Sequence, residues 1–226
     1  MRARYKAFIL SLLVPLGLGA QEIGLLRLDA PREGAKGSAS LYGGFGAGGY
    51  KPAFQASSLW KAGAGAQGVL HSYRTSWQGS FSFEQVNGKE MLTSMFLEPG
   101  YFPVDVLEFT PGDKTRQTYR MGGGFATELD GDFLVLGGKA SYSASNYAKR
   151  KDIRHTTYGM SLRVEPTVTF KMYDKAGMSI AYIFRKRTES IDAEQVGAAT
   201  DQSYYAFLDK GLRYGTYQVW DGDGLH

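Results

Sequence analysis

From Tyr158 to Met172 every second residue is apolar: Tyr158, Met160, Leu162, Val164, Pro166, Val168, Phe170 and Met172. The intervening row holds Gly159, Ser161, Arg163, Glu165, Thr167, Thr169 and Lys171. A period of two belongs to a β-strand, because successive side chains leave opposite faces of the pleat. Ordinary strands run about 5–6 residues, and this pattern lasts about three times as long. A strand crossing a bilayer needs roughly 9–11 residues, so the length favours a membrane barrel. The same alternation recurs in Trp77–Phe83, Tyr119–Leu129, Leu134–Ala144 and Met178–Phe184, with Ile183 breaking the polar row of the last. Glycine-rich segments near Ser38–Ala47 and Lys61–His71, and an aromatic run from Tyr204 to Trp220, complete a set of strands expected near 38–47, 60–71, 76–86, 117–129, 132–147, 156–173, 178–188 and 203–220. Pro166 cannot donate to a ladder and predicts a local irregularity.

The gaps between these strands alternate between long and short. Ser72–Thr75, Asp130–Gly131 and "DKAG" at 174–177 are short, whereas the gaps around 48–59, 87–116, 148–155 and 189–202 are long. An outer-membrane barrel sorts its connections in this way, with tight periplasmic turns and freely growing external loops. The predicted fold is therefore all-β, an antiparallel up-and-down transmembrane β-barrel with about eight strands present. The apolar row is expected to face lipid through Met160, Leu162, Val164, Val168, Phe170 and Met172. Arg120, Lys139, Arg163, Glu165, Lys171 and Arg185 are expected to face a polar lumen. The final "VWDGDGLH" reads as a turn beyond the last strand, so the expected barrel continues past residue 226.

Composition places the chain in the cell envelope. Arg2, Arg4 and Lys6 precede an apolar run from Ala7 to Leu18, and Gly19 and Ala20 follow. This is the layout of a signal peptide over residues 1–20, leaving 21–226 as the barrel domain. Lys and Arg total 26 against 22 Asp and Glu, and the leader carries three of the basic residues and no acid, so the mature chain is close to neutral. The basic pI is then no argument for nucleic acid binding. There is no cysteine, which excludes disulfides and thiolate metal sites. Thirty Gly, 15 Tyr and 13 Phe with a mean hydropathy of −0.28 suit strands of which only one row meets lipid.

The stretches "GSFSFEQ", "PGDKTRQTYRMGGGF", "GGKASYSA", "AKRKDIRH" and "LRVEPTVTF" fall in that order between Gly79 and Phe170. Their Gly-Asp before a Gln-x-Tyr strand, basic Asp-x-Arg loop and in-strand proline resemble an uncharacterised family of outer-membrane β-barrel proteins from Bacteroidota that carries a domain of unknown function. The resemblance implies a barrel at the cell surface, longer than this chain, and supplies no catalytic residues.

Chemistry-bearing motifs are sparse. Gly44, Gly46 and Gly49 satisfy G-x-G-x-x-G but lack the strand, helix and acidic residue of a dinucleotide site. Asp221–Gly224 reads as a turn rather than a calcium loop. His71, His155 and His226 share no metal spacing, and no Gly-x-Ser-x-Gly occurs. Neither enzymatic activity nor a cofactor is expected. Lys149, Arg150, Lys151 and Arg154 in one external loop, with Arg185, Lys186 and Arg187 at the end of the next strand, suggest a basic extracellular rim facing lipopolysaccharide phosphates; the competing reading is a solvated loop. The expected function is a pore or receptor for a small solute in the outer membrane of a Gram-negative bacterium. A structural barrel docking envelope proteins and a soluble secreted ligand-binding β domain are the alternatives.

Overall fold

The computed structural model describes residues 33–48, 55–129, 133–150, 152–173, 176–196, 204–210 and 214–220. The leader expected over residues 1–20 lies outside them. The described residues form one antiparallel sheet of ten strands and contain no helix. The strands are β1 (Glu33–Ala47), β2 (Ser58–Ser72), β3 (Thr75–Ser94), β4 (Asp105–Glu128), β5 (Leu134–Lys149), β6 (Asp152–Tyr173), β7 (Ala176–Ala181), β8 (Phe184–Val196), β9 (Tyr204–Asp209) and β10 (Gly215–Trp220). Neighbours pair in up-and-down order from β1 to β6, and β7 and β8 both pair with β6. This is the strand order of a barrel wall, although the sheet does not close on itself among the described residues.

β7 and β8 are one strand interrupted opposite Pro166. The pairs Thr167↔Ala181 and Val164↔Phe184 flank the break, and Tyr182 N–H donates to the Pro166 carbonyl at 3.1 Å. In an antiparallel ladder the N and C=O of one residue point to the same neighbour. The ring nitrogen of Pro166 therefore faces 182–183, where the reciprocal bond cannot form. On the β5 side the ladder runs unbroken through Gly138↔Pro166.

Several sequence-based boundaries need correction. The run from 203 to 220 is a hairpin of two strands, β9 and β10, and β9 also pairs with β4 through Asp105↔Asp209 to Glu108↔Ala206. The gap expected over 87–116 shrinks to 95–104, because β3 and β4 both run on. The gap expected over 148–155 shrinks to 150–151, so the alternation of long and short connections fails there. β5 and β6 continue to Lys149↔His155, where Lys149 is paired with Glu108 within the protein rather than released to water.

Register fixes two faces of opposite character. Cross-strand alignment places Phe45 with Trp60, Leu70 with Trp77, Phe83 with Tyr119, and Leu136 with Val168 and Ile180 on one face. Ring pairs follow that register, Trp77–Phe125 at 5.6 Å and Phe83–Tyr119 at 4.9 Å between centroids. The other face carries Ser40, Glu84, Arg120, Ser143, Ser161 and Arg187. The exposed face is the apolar one: Phe45 is 63% exposed, Trp77 52% and Ile180 58%. Buried hydrophobics are few, and the cluster of Met95, Val106, Ile153 and Ala193 lies at the end of the sheet carrying the 95–104 and 150–151 connections.

Candidate functional site

The 95–104 connection does not stand away from the sheet. Met95 N–H donates to Val106 O at 2.8 Å, and the Thr157 hydroxyl donates to Met95 O at 2.6 Å. Leu97 N–H donates to Glu189 Oε2 at 2.9 Å, and Glu98 pairs with Arg187 at 2.5 Å. Arg187 also pairs with Glu189 at 2.7 Å and lies 4.2 Å from the Tyr101 ring centroid. Position 159 admits this approach because it is glycine: a Cβ there would collide with Leu97 Cδ1. The connection is thus folded across the polar face, anchored to β6 and β8.

Beneath it lies a pocket of about 170 Å³. Arg116, Thr118 and Arg120 come from β4, Ser143 and Ser145 from β5, Ser161 from β6, and Arg187 from β8. Register assembles it. Arg120, Ser143, Ser161 and Arg187 are successive cross-strand partners, one row across four strands. Thr118, Ser145, Gly159 and Glu189 form the row above, and the Ser145 hydroxyl donates to Thr118 at 3.2 Å.

Beyond the pocket, toward the same end, sits a buried ionic cluster. Glu108 forms ion pairs with Lys114 Nζ at 2.6 Å and with Lys149 Nζ at 2.5 Å, and all three side chains are fully buried. Lys149 also donates to Thr110 O at 2.5 Å. Gly112 makes room, since a Cβ there would lie 2.5 Å from Lys149 Cε. β4 carries two extra residues among Phe109–Pro111, between the pairs Met91↔Gly112 and Thr93↔Glu108, and this even insertion leaves Glu108 on the same face as Lys114. His155 pairs laterally with Lys149 and lies 3.7 Å from Glu108 Oε1. Burial, then Lys114 and Lys149, hold its pKa down to about 3, so the imidazole is neutral and forms no ion pair. Burial lowers the Lys114 pKa, opposed by Glu108, and burial followed by the Glu108 charge raises that of Tyr147, whose ring lies 5.2 Å from His155.

The six residues expected to line a lumen share the polar face. Lys171 pairs with Glu128 at 2.5 Å, Arg163 with Glu165, and Lys139 lies opposite Glu165, while Arg120 and Arg185 are exposed. Of the six expected lipid contacts, Met160 and Val164 are each 36% exposed and Leu162, Val168 and Phe170 partly so, all on the apolar face; the Met172 side chain lies outside the described residues. The seven basic residues do not form one rim. Lys149 is fully buried on Glu108, and Lys151 lies outside the described residues. Arg185, Lys186 and Arg187 stand near the start of β8, not at its far end, and the strand divides them, Arg185 and Arg187 to the polar face and Lys186 to the apolar one. Arg150 and Arg154 are exposed at the expected end, Arg154 paired with Glu194 at 2.9 Å.

The Glu108 cluster and the inward-folded connection carried no sequence signal of their own: Glu108 and Lys149 are 41 residues apart, and Glu98 and Arg187 are 89 apart. Among the described residues no group of three His, Asp or Glu is placed to hold a metal. No curated protein and no solved structure matches the chain. The model of a family of unknown function, DUF6850, matches residues 29–223, and the chain belongs to that family.

Proposed function

We propose that the chain forms the wall of an outer-membrane β-barrel in a Gram-negative bacterium, with its apolar face against lipid and its polar face around a path or binding site for a small solute. The observation that carries this reading is the inverted exposure of the sheet. Aromatic and aliphatic residues from Phe45 to Ile180 lie open on one face, while ionic and hydroxyl residues lie on the other, part of which the 95–104 connection covers. In water an uncovered apolar face of this extent is an association hazard; in a bilayer it is the lipid surface. Its height fits. On β6 the row runs from Tyr158 to Phe170, and twelve steps of about 3.3 Å tilted by about 40° rise roughly 30 Å. The export signal read from residues 1–20 and the resemblance to Bacteroidota barrels support the same compartment.

The absence of native cysteine allows a direct test. Single cysteines placed in turn at positions 160–165 of the reconstituted protein should alternate. Labels at 160, 162 and 164 should be quenched by lipid-borne quenchers, and those at 161, 163 and 165 by water-soluble ones. A scan without this period of two refutes the wall. Planar-bilayer conductance then separates passage from a purely structural barrel.

A further inference from the structure

We infer that the pocket under the 95–104 connection is a binding site for a small oxyanion, a phosphate-like or carboxylate group on the solute. The inference deepens the proposed function and rests on the reading of the polar face as a solvent-filled interior. Three guanidinium groups, Arg116, Arg120 and Arg187, line a space of about 170 Å³ together with the hydroxyls of Thr118, Ser143, Ser145 and Ser161. Arginine presents a planar fork of donors matched to carboxylate and phosphate oxygens, and hydroxyls complete such a shell. Adjacent strands stand about 4.8 Å apart, so Arg120 and Arg187, three strands apart in one row, begin roughly 14 Å from each other and can close on a group between them.

The charge around the pocket is unbalanced. Arg116 and Arg120 form no ion pair among the described residues; the one acid in the lining is Glu98, and buried Glu189 beside it pairs with Arg187 at 2.7 Å, which leaves three arginines against two carboxylates. Glu84, on the same face, is held aside by the Tyr42 hydroxyl at 2.9 Å. Glu98 already shows what the site accepts: its carboxylate sits on Arg187 at 2.5 Å while its side chain remains 62% exposed. An incoming oxyanion therefore competes with Glu98 for Arg187. Displacing Glu98 removes one of the anchors of the connection, leaving the Leu97–Glu189 bond and, at its start, the bonds of Met95 to Val106 and Thr157. Occupancy of the pocket and the position of the segment above it are in this way linked.

The test uses the full mature chain folded in detergent micelles, with inorganic phosphate and succinate as probes and choline as the cationic control, followed by calorimetry. Phosphate or succinate should bind and choline should not. Arg120→Gln and Arg116→Gln should each weaken binding at least tenfold, and Glu98→Gln should tighten it several-fold by removing the competitor. Ser143→Ala with Ser161→Ala should weaken binding without altering the charge, which keeps the test open if an arginine variant misfolds. No binding of either anion, or binding unchanged by both arginine variants, overturns the site. Anion binding in a chain that fails the cysteine alternation would sink the membrane wall and leave the pocket standing. Clear alternation with no anion binding would do the reverse.

Discussion

Replacing Glu108 by Gln keeps the side chain's shape and removes its charge, and the structure sets the cost. Glu108, Lys114 and Lys149 are fully buried, with both ammonium groups within 2.6 Å of the carboxylate. Bringing three ions out of water is expensive, and mutual attraction offsets that cost only while all are present. Removing one partner of a buried pair costs about 3–5 kcal/mol, and here one carboxylate serves two lysines. The amide also leaves two ammonium groups competing for one carbonyl oxygen. The loss should fall on local opening of the end cap rather than on the whole sheet, because the cluster ties β4 to β5 next to the small core of Met95, Val106, Ile153 and Ala193. A loss of about 3 kcal/mol corresponds to roughly 150-fold more opening. Hydrogen exchange of the amides of Met95 and Leu97, with proteolysis of the 95–104 connection as a second readout, should accelerate by about that factor in the folded, reconstituted protein. Met at both 114 and 149 together with Leu at 108 should recover most of the protection, since a packed apolar trio of similar volume replaces a buried ion cluster at little net cost. Exchange in Glu108→Gln within threefold of the parent would refute the reasoning: it would mean that the lysines are hydrated and that the cluster is not the fastening of the cap.

Acid should loosen the same cap. His155 is held near a pKa of about 3, against an ordinary value of 6.5. A depressed pKa gives stability that is complete above the unfolded value and lost as pH falls from 6.5 toward 3. At 1.36 kcal/mol per unit, the cap should lose roughly 2–3 kcal/mol between pH 6.5 and 4.5, read as faster exchange at Met95. The groups facing the imidazole are Glu108, Lys114, Lys149 and Tyr147, and His155→Asn should flatten the dependence. Unchanged acid sensitivity in that variant assigns the effect to another group. Pro166→Ala should return the missing donor opposite 182–183 and close the break between β7 and β8, adding about 1 kcal/mol; a new amide at position 166 that exchanges as fast as a free one counts against it.

The two faces of the sheet were legible because a period of two survives in any environment that separates them. Residues 158–172 keep one apolar row over the whole length of the wall, and register then extends the separation across β1 to β8. What the pattern could not give was polarity turned against polarity. Lys149 stands in "AKRKDIRH", a string that reads as a solvated loop when taken alone. In the fold the stretch is two paired strand ends, because Glu108 arrives from 41 residues upstream and makes a buried lysine tolerable. The 95–104 connection was equally silent. Its apolar residues, Met95 to Leu97, Tyr101, Phe102 and Val104, are broken up by Glu98, Pro99, Gly100 and Pro103 and show no period of two, and its one charged anchor, Glu98, meets Arg187 from 89 residues away.

This difference explains why the two faces are legible in the sequence and the lining of the pocket is not. Sequence parity places Arg120 and Arg185 on the polar row, while Arg187, on the same row, reads together with Arg185 and Lys186 as part of a rim that needs the strand to end there. Row membership follows from parity within one strand; height along the wall follows only from pairing between strands. Once Ser161 is set opposite Arg187, and Ser143 opposite Ser161, the arginine drops from the rim to the level of Arg120. At that level it meets the carboxylate of a segment that sequence alone would have left outside.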